Sequence, residues 1–195
     1  MRCSLGQVCM LVLFGVLVLV GCSTKVEVPT EFVDWTPEDA VFHLKAPKGW
    51  KSQSPNVAVF SKGSCMIDVR PNLLGSLIGD VTRSGNQSFD PDAPYREDLE
   101  KVHKVHVLLG NEPDESYSKF KETSEPVEFA SEMGRGRKSE FTASVLGSGK
   151  VVGYRATLVQ PDKAIVIYCH CPPKQWEKFK PVFDEVLKSI RPGGG

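Results

Sequence analysis

Three stretches near the C-terminal end constrain the fold more than any other feature of this chain. RKSEFTASVL (137–146), KVVGYRATLV (150–159) and AIVIYCHC (164–171) carry the β-branched and aromatic residues and the two-residue alternation of strands. Gly147-Ser148-Gly149 and Gln160-Pro161-Asp162-Lys163 separate them. Connections this short make an antiparallel meander the economical arrangement. After Pro172-Pro173 the period changes. Trp176, Phe179, Val182, Phe183, Val186, Leu187 and Ile190 recur at intervals of three and four, which predicts an amphipathic helix laying its aromatic face on the sheet. Pro181 removes one backbone bond from that helix and predicts a kink or a split into two. Lys188 and Arg191 suit the C-terminal dipole and Gly193 the stop.

The first half supplies further elements. VFHLKA (41–46) places Phe42, Leu44 and Ala46 on one strand face, and Pro47 and Gly49 of PKGW make the turn after it. VAVF (57–60) and CMIDVR (65–70) flank Ser61-Lys62-Gly63-Ser64, which reads as a hairpin with a four-residue loop. Leu73, Leu74, Leu77, Ile78 and Val81 then form a helical stripe over 72–83, weakened by Gly75 and Gly79. A second helix is predicted over 95–109, with Tyr95, Leu99, Val102 and Leu109 on one side and Glu97–Lys101 and Glu100–Lys104 pairs on the other. Residues 110–126 read as polar loop. The fold class expected is α+β: an antiparallel sheet of about six strands flanked by two to three helices, in one globular domain over 38–192. The chain has 195 residues, 41% hydrophobic and 25% charged, which suits one domain. Lys+Arg and Asp+Glu balance at 24 each, so no global field points to nucleic acid as a partner.

The N-terminus has a different character. Met1-Arg2 leads into an uninterrupted apolar run, residues 8–20, of 13 residues. A membrane-spanning helix needs about 20, whereas a signal-peptide core has this length. The run ends in Leu19-Val20-Gly21-Cys22, which resembles the lipobox of bacterial lipoproteins. The resemblance implies that residues 1–21 are a signal peptide and that Cys22 becomes the lipidated first residue, carrying a diacylglyceryl group with fatty-acyl chains such as palmitate. Residues 22–37 are then the lipidated N-terminus and tether. It further implies a location in the bacterial cell envelope, with the domain outside the cytoplasm and the membrane as a partner through the lipid on Cys22. Ser23 stands where inner-membrane retention typically uses Asp, which favours the outer membrane in a Gram-negative cell.

The order of elements, with the hydrophobic-Pro-x-Gly-Trp segment AlaProLysGlyTrp (46–50) near its start, resembles over about residues 40–191 the fold of photosystem II PsbP, the nuclear import factor Mog1 and DcrB-type bacterial lipoproteins. That resemblance implies an α/β/α sandwich. It also implies a binding or assembly role beside another envelope protein, rather than catalysis, because members of the group have unrelated roles of that kind. It carries no ligand motif onto these residues, and no cofactor is expected.

Several local clusters bear on chemistry. Cys169-His170-Cys171 contains zinc and copper ligand types, and an envelope metal-binding protein or enzyme built on it is the rival reading. A strand, however, sends Cys169 and Cys171 to one face and His170 to the other, so no metal site is assigned. Cys65 lies on the apolar face of another strand, which makes Cys65–Cys169 and Cys65–Cys171 alternative disulfides. His103 and His106 have ligand spacing on the second predicted helix, but ordinary surface or boundary histidines are the commoner case. Arg135, Arg137 and Lys138, with Arg155 on the neighbouring strand, form a basic cluster able to meet an anionic surface or partner. Neither a Gly-x-Ser-x-Gly element nor a phosphate loop appears, since Gly147-Ser148-Gly149-Lys150 lacks the spacing of one. Catalysis is thus left without a named residue.

Overall fold

Strands dominate the residues that the computed structural model describes, which are 26–38, 41–55, 57–72, 103, 117–159 and 164–193. The six predicted strands are all present: β2 (Phe42–Pro47), β4 (Val57–Lys62), β5 (Cys65–Asn72), β8 (Gly134–Val145), β9 (Gly149–Val159) and β10 (Ala164–Cys171). The expectation of about six strands is nevertheless too small. β1 (Phe32–Trp35), β3 (Lys51–Ser54), β6 (Tyr117–Glu122), β7 (Val127–Ser131) and β11 (Arg191–Pro192) join them. These five are short, and most of their side chains face water, so they carry little alternation to read. β6 falls in the stretch expected to be polar loop, and β1 falls in the expected tether.

Two antiparallel sheets result. β1, β2 and β11 form the smaller, in the order β1-β2-β11. The larger runs β3-β4-β5-β10-β9-β8-β6, with β7 also paired to β8 beside β6. The meander β8-β9-β10 is its centre, in the register Phe141↔Gly153 and Gly153↔His170. Lys62 pairs with Cys65, so the β4–β5 hairpin turns on two residues rather than four, and Gly63 takes a positive φ of 58° there. Gly153 is obligatory for another reason: a Cβ on it would lie 1.9 Å from the Cys169 carbonyl oxygen, so only glycine lets β9 and β10 approach this closely.

The closing helix is α1 (Trp176–Lys188), entered through a 3-10 turn, Pro173–Gln175. It continues through Pro181 without being split. Apart from the single helical residue His103, it is the only α-helix among the described residues, fewer than the two to three expected. Pro71 and Asn72 extend β5, and the remainder of the predicted helix 72–83 lies outside the described residues. The predicted helix 95–109 lies outside them as well, except for His103, which is helical.

The main core sits between one face of the large sheet, α1 and β2. It holds Ile67, Ala156, Leu158, Ile165 and Ile167 of the sheet, Phe42 and Leu44 of β2, and Phe179, Phe183 and Val186 of α1. Trp50, delivered by the turn that follows β2, closes one end against Phe179 at 6.2 Å between ring centres. The β7–β8 turn caps the end of α1: Glu132 N–H donates to the carbonyl of Lys188, its last residue, at 3.1 Å, and Met133 N–H to that of Ile190, just past the helix, at 2.9 Å.

Candidate functional site

The opposite face of the large sheet is unlike the first. Its apolar part is small and aromatic, formed by Tyr117, Phe141, Ala143 and Val151 with Phe120, Tyr168 and Met66 packed against it. Next to it lies a buried polar layer of Asp68, Ser139, Arg155, Thr157, His170 and His103, each exposing no more than 2% of its surface. Alternation along β5, β8, β9 and β10 puts the sheet members of this layer on one side.

Asp68 accepts from Arg70 Nε at 2.9 Å and Nη2 at 2.6 Å, and two connected groups make up the rest of the layer. In the first, Glu122 at the end of β6 accepts from Ser139 Oγ at 2.6 Å and from Arg155 Nε at 2.8 Å. The Arg155 side chain is wholly buried, and its Nη2 donates to the His103 carbonyl at 3.0 Å. The His103 ring reaches two hydroxyls, Thr157 Oγ1 at 2.9 Å from Nδ1 and Ser139 Oγ at 3.2 Å from Nε2. Burial lowers the Arg155 pKa, and Glu122 opposes that shift. In the second group, the Tyr117 hydroxyl and His170 Nδ1 lie 2.8 Å apart. Burial pushes the Tyr117 phenol well up and pulls the His170 imidazole down to about 4. The phenol therefore stays protonated and His170 neutral at pH 7, and one hydrogen bond joins the two.

The predicted site residues are dispersed by this architecture. Cys65, Cys169 and Cys171 are free thiols, each fully buried on the α1 side of the sheet. His170 projects from the other side against Tyr117. Burial raises the Cys169 thiol, and for Cys171 the hydrogen bond with Cys65 comes first and burial second. Cys169 and Cys171 are thus held as thiols rather than thiolates, and among the described residues no three His, Cys, Asp or Glu side chains converge as metal ligands. His103 is no surface or boundary histidine but a fully buried member of the polar layer; His106 lies outside the described residues. The basic cluster is divided by the pleat. Arg135 and Arg137 pair with Glu128, at 3.8 and 3.1 Å. Lys138 points to the opposite face, bonded to Asp184 of α1 and 4.4 Å above the Tyr154 ring. Arg155 is buried with Glu122 instead of joining them. Cys22 lies outside the described residues.

Glu122, Ser139, Thr157 and Tyr117 escaped the sequence reading, yet a signal was present. Ser139 stands in the phase of Phe141 and Ala143, and Arg155 and Thr157 stand in the phase of Val151. Polar residues in the buried phase of a central strand announce a buried network.

No family model matches the chain, and no curated protein sequence matches it. Among solved structures, the solution structure of cyanobacterial PsbP (CyanoP) from Synechocystis sp. PCC 6803 is similar, with a TM-score of 0.55 at 15% identity, covering 89% of this chain and 98% of that one. A protein of unknown function from Pseudomonas aeruginosa, PA94, a putative regulator by its description, gives 0.46 at 12% identity, with coverage of 85% and 99%. The Ran-binding protein Mog1p of Saccharomyces cerevisiae gives 0.43 at 10%, with coverage of 83% and 95%. The described domain thus has a PsbP-like fold, mostly antiparallel sheet with a closing helix.

Proposed function

We propose that this chain is a membrane-anchored lipoprotein of the bacterial cell envelope, whose PsbP-like domain binds or assists another envelope component without catalysing a reaction. The observation that carries the reading is Leu19-Val20-Gly21-Cys22 directly behind a 13-residue apolar core too short to cross a bilayer. The position of Val26 is consistent with it. Val26 is buried against the β4–β5 hairpin, where a Cβ on Gly63 would come within 2.8 Å of its Cγ2. Three residues, Ser23 to Lys25, and so about 14 Å of chain when extended, then separate the acylated Cys22 from a side chain seated in the core. Such a spacer keeps the domain at the membrane surface and raises its effective concentration for partners held there. The non-catalytic part of the reading is supported by the state of the nucleophile and base candidates: Cys65, Cys169, Cys171, His103 and His170 are all buried, and the two histidine rings are engaged with Thr157, Ser139 and Tyr117.

The test is metabolic labelling with an alkyne-bearing fatty acid, in a bacterial host, of the full chain and of Cys22→Ser. Label in the membrane fraction for the former, with loss of both label and membrane association for the latter, is expected. Equal partition of the two proteins without label would overturn anchoring. Stoichiometric zinc or copper in the purified protein, lost on Cys171→Ser, would overturn the non-metal reading.

A further inference from the structure

The antiparallel register of β5 and β10 pairs Cys169 with Ile67 and His170 with Met66. One step further along the same register, Cys171 stands opposite Cys65. Both side chains are fully buried, their thiols hydrogen-bond each other, and Cys65 Sγ also lies 3.7 Å from Gln175 Oε1, its acceptor. Facing residues of an antiparallel pair have Cα atoms about 4.5–5.5 Å apart, inside the range of about 4.4–6.8 Å that a disulfide requires. Cys169 does not qualify. It is diagonal to Cys65, about 7–8 Å away and beyond that range, and two residues from Cys171 along the same extended strand, about 6.6 Å, at the far edge of the range and with no facing position.

We propose that Cys65 and Cys171 are joined in a cross-strand disulfide as the chain folds, and that Cys169 remains a thiol. This rests on the envelope location proposed above, since structural disulfides form and persist in oxidising compartments. The oxidant is itself a disulfide, small (glutathione disulfide) or carried by a thiol oxidoreductase. One cysteine thiolate attacks it, forming a mixed disulfide and expelling the first oxidant thiol. The second cysteine attacks the mixed disulfide and expels the other. One sulfur–sulfur bond forms and one breaks; two electrons and the two thiol protons pass to the oxidant. The exchange belongs to folding, because packing of α1 afterwards closes both sulfurs to any oxidant.

The test uses the full-length chain carrying Cys3→Ser, Cys9→Ser and Cys22→Ser, refolded in detergent from guanidinium and dithiothreitol into buffer containing glutathione disulfide. Free thiols are then alkylated under denaturing conditions without reductant, and the protein is digested and mapped by mass spectrometry. The expected product links Cys65 to Cys171 with Cys169 alkylated, and its guanidinium midpoint lies above that of the same chain refolded in dithiothreitol. A chain that folds but has all three thiols alkylated, or has Cys65 linked to Cys169, overturns the proposal. Mapping the native protein extracted from membranes gives a second measurement under the same criteria. Refolding needs no export, so failure here counts against the pairing and leaves anchoring to the fatty-acid label on Cys22.

Discussion

His170 illustrates how one buried side chain sets a pH limit on the whole domain. Its Nδ1 is hydrogen-bonded to the Tyr117 hydroxyl while Phe141 and Tyr168 pack around Tyr117, so an imidazolium there would lose its hydration. The imidazole titrates near 4 when folded, against 6.5 in the unfolded chain. At neutral pH both states hold the ring neutral. As pH falls through 6.5 the unfolded chain takes up a proton that the folded one refuses, so stability declines from there down to pH 4, by about 3 kcal/mol in all. Denaturant unfolding across that window is expected to show the decline, and His170→Gln, which keeps a hydrogen-bonding group for Tyr117 but cannot titrate, is expected to remove this part of it. Equal pH dependence in the two proteins would contradict the assignment.

At the scale of elements, Glu122 ties the edge strand β6 to the central strand β9. β6 is irregular: its pairing with β8 shifts between Ser118 and Lys121, and Lys119 adopts a positive φ of 54°. The Glu122–Arg155 bond is therefore a principal fastening of its distal end. Glu122→Gln leaves the buried Arg155 guanidinium without a counter-charge and is expected to cost about 3 kcal/mol. Arg155→Met combined with Glu122→Gln is expected to cost less than the Glu122→Gln change alone, because no charge then remains buried. Guanidinium midpoints of these two variants and of Arg155→Met alone check this, and additive losses would contradict it. The second fastening, Tyr117 to His170, holds the other end of β6 to β10.

For the molecule as a whole, α1 is the element that covers one face of the large sheet. Its six buried side chains, Trp176, Phe179, Val182, Phe183, Val186 and Leu187, lie over the same sheet face that carries the three thiols. At about 1.5–3 kcal/mol each, their burial is comparable with the entire stability of a domain, about 5–15 kcal/mol. A chain ending at Gln175 is accordingly expected to lose cooperative thermal unfolding and to bind a hydrophobic dye; a retained sharp transition would contradict the two-faced architecture. A short spacer between Cys22 and Val26 would add a further constraint, since the domain could not leave the membrane surface without releasing Val26.

The central meander, the β4–β5 hairpin and the closing helix were legible in the sequence, because each buries one face and writes that face into the spacing of its apolar residues. So was the separation of His170 from Cys169 and Cys171, a consequence of the strand period alone. The edge strands β1, β3, β6, β7 and β11 were not legible, because pairing through the backbone leaves little mark on side chains that face water. Nor were the partners within the polar layer. Ser139, Arg155 and Thr157 stand out of place in the pattern, but Glu122 and His103 reach them from distant parts of the chain. Which thiol faces Cys65 likewise depends on the register of β5 against β10. Local sequence determined which face each segment buries; only the tertiary pairing decided what meets across that face, because hydrogen-bond register and side-chain contacts are set by segments far apart along the chain.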